Sequence, residues 1–307
     1  MPKRICLFAG YHKKNIISDY VLYYLKHLAE FADIYYLADC DMPQIQLDKL
    51  KPYVKNAWAY RHEKYDFGSW QELIRKIGIP TLLEYDYCIF ANDSVFAPLF
   101  PMNPIFEKAE KDSRLDAWAL NSFDDEFFGS HFFVFRTKTF LNAGIKSFWQ
   151  SITKQKTLID VITRYEKHLP KLLRENGFVC KVFCNLPYKS IQDYWKDYIK
   201  NGFPLLKIKL FTLPEYNKYL YNWRKFIKKH TTFPDYLIDK HLQTLDIDVK
   251  KFDSRAFKIK TLFSALSQWR KNNFRLHFCK GTLIIVLFGC SIYNNEYKNK
   301  KYGLEKF

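Results

Sequence analysis

Leu83-Glu-Tyr-Asp-Tyr-Cys-Ile-Phe-Ala-Asn-Asp-Ser-Val-Phe-Ala-Pro-Leu-Phe100 is the stretch whose reading decides the fold. Tyr85 to Phe90 has the aromatic and β-branched richness of a buried strand, and it runs straight into Asn92, Asp93 and Ser94. In an open α/β sheet the crevice that takes ligands lies just beyond the carboxyl ends of the strands. Hard divalent cations prefer carboxylate and phosphate oxygen together, which makes Asp93 a candidate metal ligand. Asn, Asp and Ser also cap turns by bonding their own backbone, and the residues alone leave both readings open.

Working outward, Ile5 to Ala9 is a short apolar run ending at Gly10, Tyr11 and His12, as a first parallel strand feeding a loop does. Behind Asp19, the residues Tyr20, Tyr23, Tyr24, Leu28 and Phe31 recur at helical steps, and Asp33 to Leu37 supplies the next strand. This βαβ opening predicts a doubly wound α/β sheet. After a short strand at Ala57 to Tyr60, Asp66, Gly68 and Ser69 form a tight turn before a helix through Ile77, with Ser69 as its N-cap. The free N–H groups of such a helix start can take a phosphate, or the turn can serve as a cap alone.

Beyond the opening stretch, Pro98, Pro101 and Pro104 forbid continuation of any regular element, so the chain leaves the sheet in an ordered loop before a short helix at Phe106 to Lys111. Asp116 to Leu120 and Ser130 to Arg136 read as strands, with Asp124, Asp125 and Glu126 between them. Paired acids at strand ends suit either a cation site or a general base. Leu158 to Asn176 is a helical pattern interrupted at Pro170. Its apolar face is Ile162, Tyr165 and Leu169, and Glu166 falls just off that face, toward a cleft or toward water. Phe178 to Cys184 is a further strand.

With 307 residues and 48% hydrophobic content the chain can bury a large core. The net charge of +17 calls for an anionic partner, and nucleic acid, acidic lipid and nucleotide diphosphate all qualify. Residues 200 to 307 hold about 22 Lys and Arg against about 8 Asp and Glu, so most of the excess is C-terminal. There Tyr216 to His230 alternates aromatic and basic residues, a texture fit for a lipid interface or for stacked bases. The scattered cysteines lack zinc spacing and fit a reducing compartment. No run reaches the roughly 20 apolar residues of a membrane span, and no Gly-rich phosphate loop or DNA-reading helix is present.

Several segments, in order, resemble the rhamnan synthesis protein F family of bacterial polysaccharide glycosyltransferases. They are Asp19 to Leu25, Tyr65-Asp-Phe-Gly-Ser-Trp70, Ala91 to Pro101, His131-Phe-Phe-Val-Phe-Arg136, Tyr165-Glu166 and Gly202-Phe-Pro-Leu-Leu-Lys207. The resemblance implies a GT-A-like, Rossmann-type mixed sheet flanked by helices over residues 1–211. Residues 212–307 would then be a basic, aromatic, mainly helical extension. It implies transfer of rhamnose, galactofuranose or a similar sugar from a UDP- or dTDP-sugar to a capsular, O-antigen or cell-wall polysaccharide, with inversion. By the same resemblance Asp93 stands at the last position of the metal-binding Asp-X-Asp motif, with Mn²⁺ or Mg²⁺ as the cation. Glu166 is then the expected base, with Asp124 and Asp125 in reserve. Asp66, Gly68, Ser69, Asn92 and Ser94 would hold nucleotide or sugar, and His131 would line the acceptor side. A lipid-linked glycan acceptor follows, with the cytoplasmic face of the inner membrane as the place of work and no nucleic acid partner. Two other classes stand beside this one. A non-catalytic scaffold of a polysaccharide assembly complex would bind no sugar nucleotide, and a basic nucleic-acid binder would lack an acid-lined cleft.

Overall fold

The apolar run of the opening stretch forms strand β4, and the chain is built symmetrically about it. A computed structural model describes residues 2–122, 128–186, 190–279, 282–287, 290–294 and 304–306. Strands β1 (Arg4–Gly10), β2 (Asp33–Ala38), β3 (Asn56–Ala59) and β4 (Tyr87–Asn92) run parallel in the spatial order β3-β2-β1-β4. A two-residue strand outside this sheet, β5 (Val95–Phe96), follows at once. The sheet continues with β6 (Ala117–Ala119), β7 (Phe132–Arg136) and β8 (Cys180–Val182), giving β3-β2-β1-β4-β7-β6-β8. Strand β7 is antiparallel to β4 and β6, and β6 is parallel to β8, so this is a mixed α/β sheet flanked by helices.

All six residues of β4 are buried, which is why its sequence is a continuous apolar run rather than an alternation. On one face the helix Asp19–Ala29 sets Tyr24 edge-on to Phe8, ring centroids 5.5 Å apart. On the other, Trp70 of the helix Tyr65–Ile77 meets Phe90 and Phe133 edge-on, at 5.6 and 5.2 Å. Phe90 also stacks on Phe133 and Trp149 at 4.5 and 5.0 Å. Fully burying each such side chain is worth about 1.5–3 kcal/mol, and offset or edge-on ring pairs add to it.

Two local expectations change. The helix predicted to begin at Ser69 begins at Tyr65, with Lys64 at its N-cap position, so Ser69 lies one turn inside and is buried. Its hydroxyl has no free helix N–H to cap, and it bonds the His62 ring instead, 3.0 Å away. The helical stretch from Leu158 breaks before Pro170, not at it. Leu158–Val161 is α-helical, Ile162–Glu166 is a π-helical turn, and the α-helix resumes at His168–Glu175. Pro170 thereby falls in the first turn of the new helix, where its missing N–H costs little.

Contacts divide the chain into two compact units. The first is Met1–Thr212 with Trp223–Val249, so two helices past residue 212, Trp223–His230 and Tyr236–Thr244, belong with the sheet. Strand β9 (Leu206–Lys207) pairs antiparallel with β5. The loop carrying Pro98 is held as Leu99 donates to Pro204 O at 2.8 Å and accepts from Thr232 N–H at 2.9 Å. The second unit is Leu213–Asn222 with Lys250–Phe307. In it a helix, Arg255–Asn273, precedes four antiparallel strands, β10 (Phe274–Cys279), β11 (Thr282–Leu287), β12 (Cys290–Asn294) and β13 (Leu304–Lys306). The expected extension is thus helical through Asn273 and stranded beyond it. Among the described residues no helix is long and apolar enough to cross a membrane.

Candidate functional site

Strand order reverses between β1 and β4: the chain steps from β1 outward to β2 and β3, then returns to the other side of β1. Loops that leave neighbouring strands in opposite directions must diverge, and a crevice opens at that point. A cleft of about 970 Å³ lies there. Gly10 at the end of β1, and Asp39, Arg61 and Asp93 from just past β2, β3 and β4, each line it.

Asp93 is bound into the sheet by its backbone, its N–H donating to Ala9 O at 3.2 Å, and its carboxylate accepts the Tyr11 N–H at 2.7 Å. Tyr20 adds a hydroxyl donated to Asp93 O at 2.6 Å. Burial pushes the Asp93 carboxyl up to about 8, against the Tyr11 N–H and with the charge of Asp66 adding to the rise. Asp66 comes from the first turn of the helix Tyr65–Ile77 and lines the same cleft. Burial, with Glu166 next in effect, pushes Asp66 up to about 6, while Lys207, the Asn92 amide and Lys209 pull it down. Glu166 stands on the π-helical turn and faces the cleft as well. A π turn displaces the residues after it around the helix axis, a distortion common at functional sites. Behind it, Tyr165 OH takes the Thr153 N–H at 3.0 Å and the Gln155 amide at 2.8 Å, which fastens the loop carrying Lys154 and Lys156 over the cleft.

The remaining predicted residues separate into liners and brackets. Ser94 and His131 line the cleft. Asn92 is buried behind it: its amide donates to Asp66 Oδ2 at 2.6 Å and to Ser130 O at 3.4 Å, and its Oδ1 accepts from Ser94 N–H and hydroxyl at 3.1 and 2.6 Å. It ties Asp66 to the end of β4. Gly68 serves close contact within its helix, since a Cβ there would lie 2.2 Å from Lys64 Cβ. Asp124 and Asp125 lie outside the described residues.

Four features of the cleft escaped the sequence reading. Asp39 accepts the N–H groups of His62, Glu63 and Tyr65 at 2.7, 2.8 and 3.3 Å, holding the loop at the cleft mouth. That loop is linked to the opposite side by an ion pair between Glu63 and Lys154. Lys207 lines the floor, with burial pulling its ammonium down to about 8. His241 closes one wall, its ring 5.8 Å from that of His12 and its Nδ1 3.1 Å from Ser18 Oγ. On the β6–β7 side, Asn121 Oδ1, Ser122 Oγ and His131 Nε2 are buried without a hydrogen-bond partner among the described residues. Burial, then Lys207, holds the His131 ring well below its ordinary range and hence neutral. Spacing offered no signal for these contacts, because each joins segments far apart in the chain.

The profile of the rhamnan synthesis protein F family matches residues 34–266. The chain belongs to that family. By membership it is a nucleotide-sugar-dependent glycosyltransferase, and the matched span runs through the helix Tyr236–Thr244 that carries His241. No curated protein sequence matches the chain. Among solved structures, S. aureus TarS 1-349 aligns at 12% identity over 97% of this chain and 98% of that one, with a TM-score of 0.39. TarS 1-349 in complex with UDP-GlcNAc aligns at 10% identity over 97% and 98%, TM-score 0.38. A cytidylyltransferase from Leptospira borgpetersenii aligns at 11% identity over 76% of this chain and 100% of that one, TM-score 0.37.

Proposed function

We propose that this family member transfers rhamnose, galactofuranose or a similar sugar from a UDP- or dTDP-sugar to a growing polysaccharide, with inversion at the sugar carbon. The observation that carries the reading is the convergence of Asp66, Asp93 and Glu166 on one cleft at the switch point between β1 and β4. Two of these carboxylates are raised by burial and by neighbouring acids, the condition in which a site gains most from a bound cation or a proton in transit.

Asp93, with Asp66 near it, offers hard oxygen donors that suit Mn²⁺ or Mg²⁺. Among the described residues no three His, Cys, Asp or Glu side chains gather for a metal. A cation there would therefore take one or two carboxylates and complete its shell with diphosphate and water, the usual manner of Mg²⁺. Bound, it would neutralise charge on the departing diphosphate. Glu166 takes the proton of the acceptor hydroxyl, whose oxygen forms the new bond to the sugar carbon. The bond from that carbon to the diphosphate oxygen breaks on the opposite face, and the diphosphate leaves with the electron pair. Asp66 and Ser94 hold the donor, positioned by Asn92. His131, neutral, with Asn121 Oδ1 and Ser122 Oγ also buried without a partner among the described residues, suits hydroxyl groups on the acceptor side.

The acceptor in this reading is a lipid-linked glycan of capsule or O-antigen assembly, and the basic residues after 212 meet an anionic membrane surface. Thermal shift across UDP-, dTDP-, GDP- and CMP-sugars, with and without Mn²⁺, is the direct test. Stabilisation by one nucleotide family is expected; no shift with any of them overturns the proposal.

A further inference from the structure

The ribbon of β5 and β9 is too short to stabilise itself, yet it fixes one side chain where the cleft is most acidic. Val95, two residues after Asp93, pairs with Lys207, and Ile208 N–H donates to Ser94 O at 3.2 Å. Backbone pairing thus brings a lysine 114 positions beyond Asp93 in sequence to the end of β4. There Lys207 lines the cleft beside Asp66 and Glu166, whose charges support its ammonium, and Lys209, which opposes it.

Of the other cations that line the cleft, Lys13, Lys156 and Lys209 make no ion pair among the described residues, whereas two are already engaged. Arg61 pairs with Asp41 at 3.3 Å, and Lys154 pairs with Glu63. Lys207 makes no ion pair or side-chain hydrogen bond among the described residues, and Glu166 makes none either. A desolvated ammonium without a direct partner is costly, and an anion entering the cleft removes that cost. A phosphate oxygen is the anion that lysine serves well, as a compact charge with three donors.

We infer that Lys207, with Lys209 at the rim, forms a phosphate-oxygen subsite that receives the donor's diphosphate and holds the charge that builds on it as the sugar departs. The inference rests on the glycosyltransferase reading and deepens it by naming which protein groups meet the leaving group. It also accounts for β9: the ribbon delivers a cation beside Asp66 and Glu166. With its ammonium drawn down only to about 8, Lys207 still enters the complex charged at neutral pH.

The test is calorimetric titration of UDP, dTDP, GDP and inorganic pyrophosphate, each with EDTA and with Mn²⁺, into the full chain and its variants. The nucleosides uridine, thymidine and guanosine are titrated alongside. Lys207→Ala should weaken every diphosphate that the wild type binds by ~10- to 100-fold, leaving the matching nucleoside unchanged. Lys207→Arg should restore affinity to within about threefold of wild type. Wild-type diphosphate affinity in Lys207→Ala sinks the subsite, and so does an equal loss for diphosphate and nucleoside, which would mark a structural role. Should Lys207→Ala fail to fold, exposed Lys209 provides the second variant. Lys209→Ala should lose ~3- to 10-fold in diphosphate affinity, the loss shrinking at high salt, and an unchanged affinity there overturns the inference. If the wild type binds none of the diphosphates, the glycosyltransferase reading falls and takes the subsite with it.

Discussion

At the scale of single residues, the carboxylates of the cleft differ in their surroundings, and the proposed roles follow that difference. Asp66 and Asp93 are fixed by hydrogen bonds from Asn92 and Tyr11, whereas Glu166 has no such partner among the described residues and is free to meet a substrate proton. Glu166→Gln keeps the shape and removes the proposed base. Transfer should fall by ~10²- to 10⁴-fold with donor affinity within about threefold of wild type, as read by turnover and calorimetry; full turnover would return the base assignment to the acids between β6 and β7. Asp66 carries a stability signature. Its folded pKa is raised from the ordinary 3.8 to about 6, so as pH rises the unfolded chain loses this proton first. Stability contributed by the group therefore declines between about pH 4 and pH 6, by about 2–3 kcal/mol. Urea midpoints at pH 4.5 and 7 should show Asp66→Asn gaining on wild type at the higher pH. Asp93 shifts the same way, and because the charge of Asp66 adds to its rise, the difference reads Asp66 together with its coupling to Asp93.

At the scale of elements, three short pieces set the site: the π turn with Glu166, the β5–β9 ribbon with Lys207, and the helix Tyr236–Thr244 with His241. This last helix is fastened by ring contacts of His241 with Tyr20, Phe96 and His12 at 4.6, 5.8 and 5.8 Å, and by ion pairs of Lys240 with Asp19 and Lys14 with Asp246. Burial, then His12, pulls His241 down to about 3 from the ordinary 6.5. The unfolded chain takes up that proton first as pH falls, so stability is lost from about pH 6.5 downward. Amide exchange in residues 236–244, corrected for intrinsic rates, should accelerate between pH 7 and pH 5. An unchanged corrected rate would mean that the helix is held without the neutral ring.

At the scale of the whole molecule, composition suggested a division near residue 211, where aromatic and basic residues begin to alternate, while the compact unit with the sheet takes in Trp223–Val249. A chain ended at Val249 should keep its melting temperature and nucleotide response, and one ended at Phe211 should lose both, because it lacks His241 and the Thr232 bond to the Pro98 loop. Flotation with anionic vesicles should carry the full chain and leave the chain ended at Val249 behind; equal flotation removes the second unit from the membrane proposal.

The buried strands, the opening βαβ unit and Asp93 at the end of β4 were legible in the sequence, because apolar periodicity and a strand's polar end are local signals. Asp66 was legible as a candidate and lines the cleft, but from the first turn of a helix rather than from a turn before it. The π turn, the ribbon that delivers Lys207 and the His12–His241 contact were not legible. The π turn is a local change of helical ladder without a residue signature, while the ribbon and the ring contact depend on pairing between segments far apart in the chain, and no local pattern records which distant backbone will complete a hydrogen bond or desolvate a charge. Sequence alone determined the sheet and the acid at its switch point. Tertiary structure decided which side chains share the cleft, and through burial and mutual charge it raised the carboxyls and lowered the lysine there.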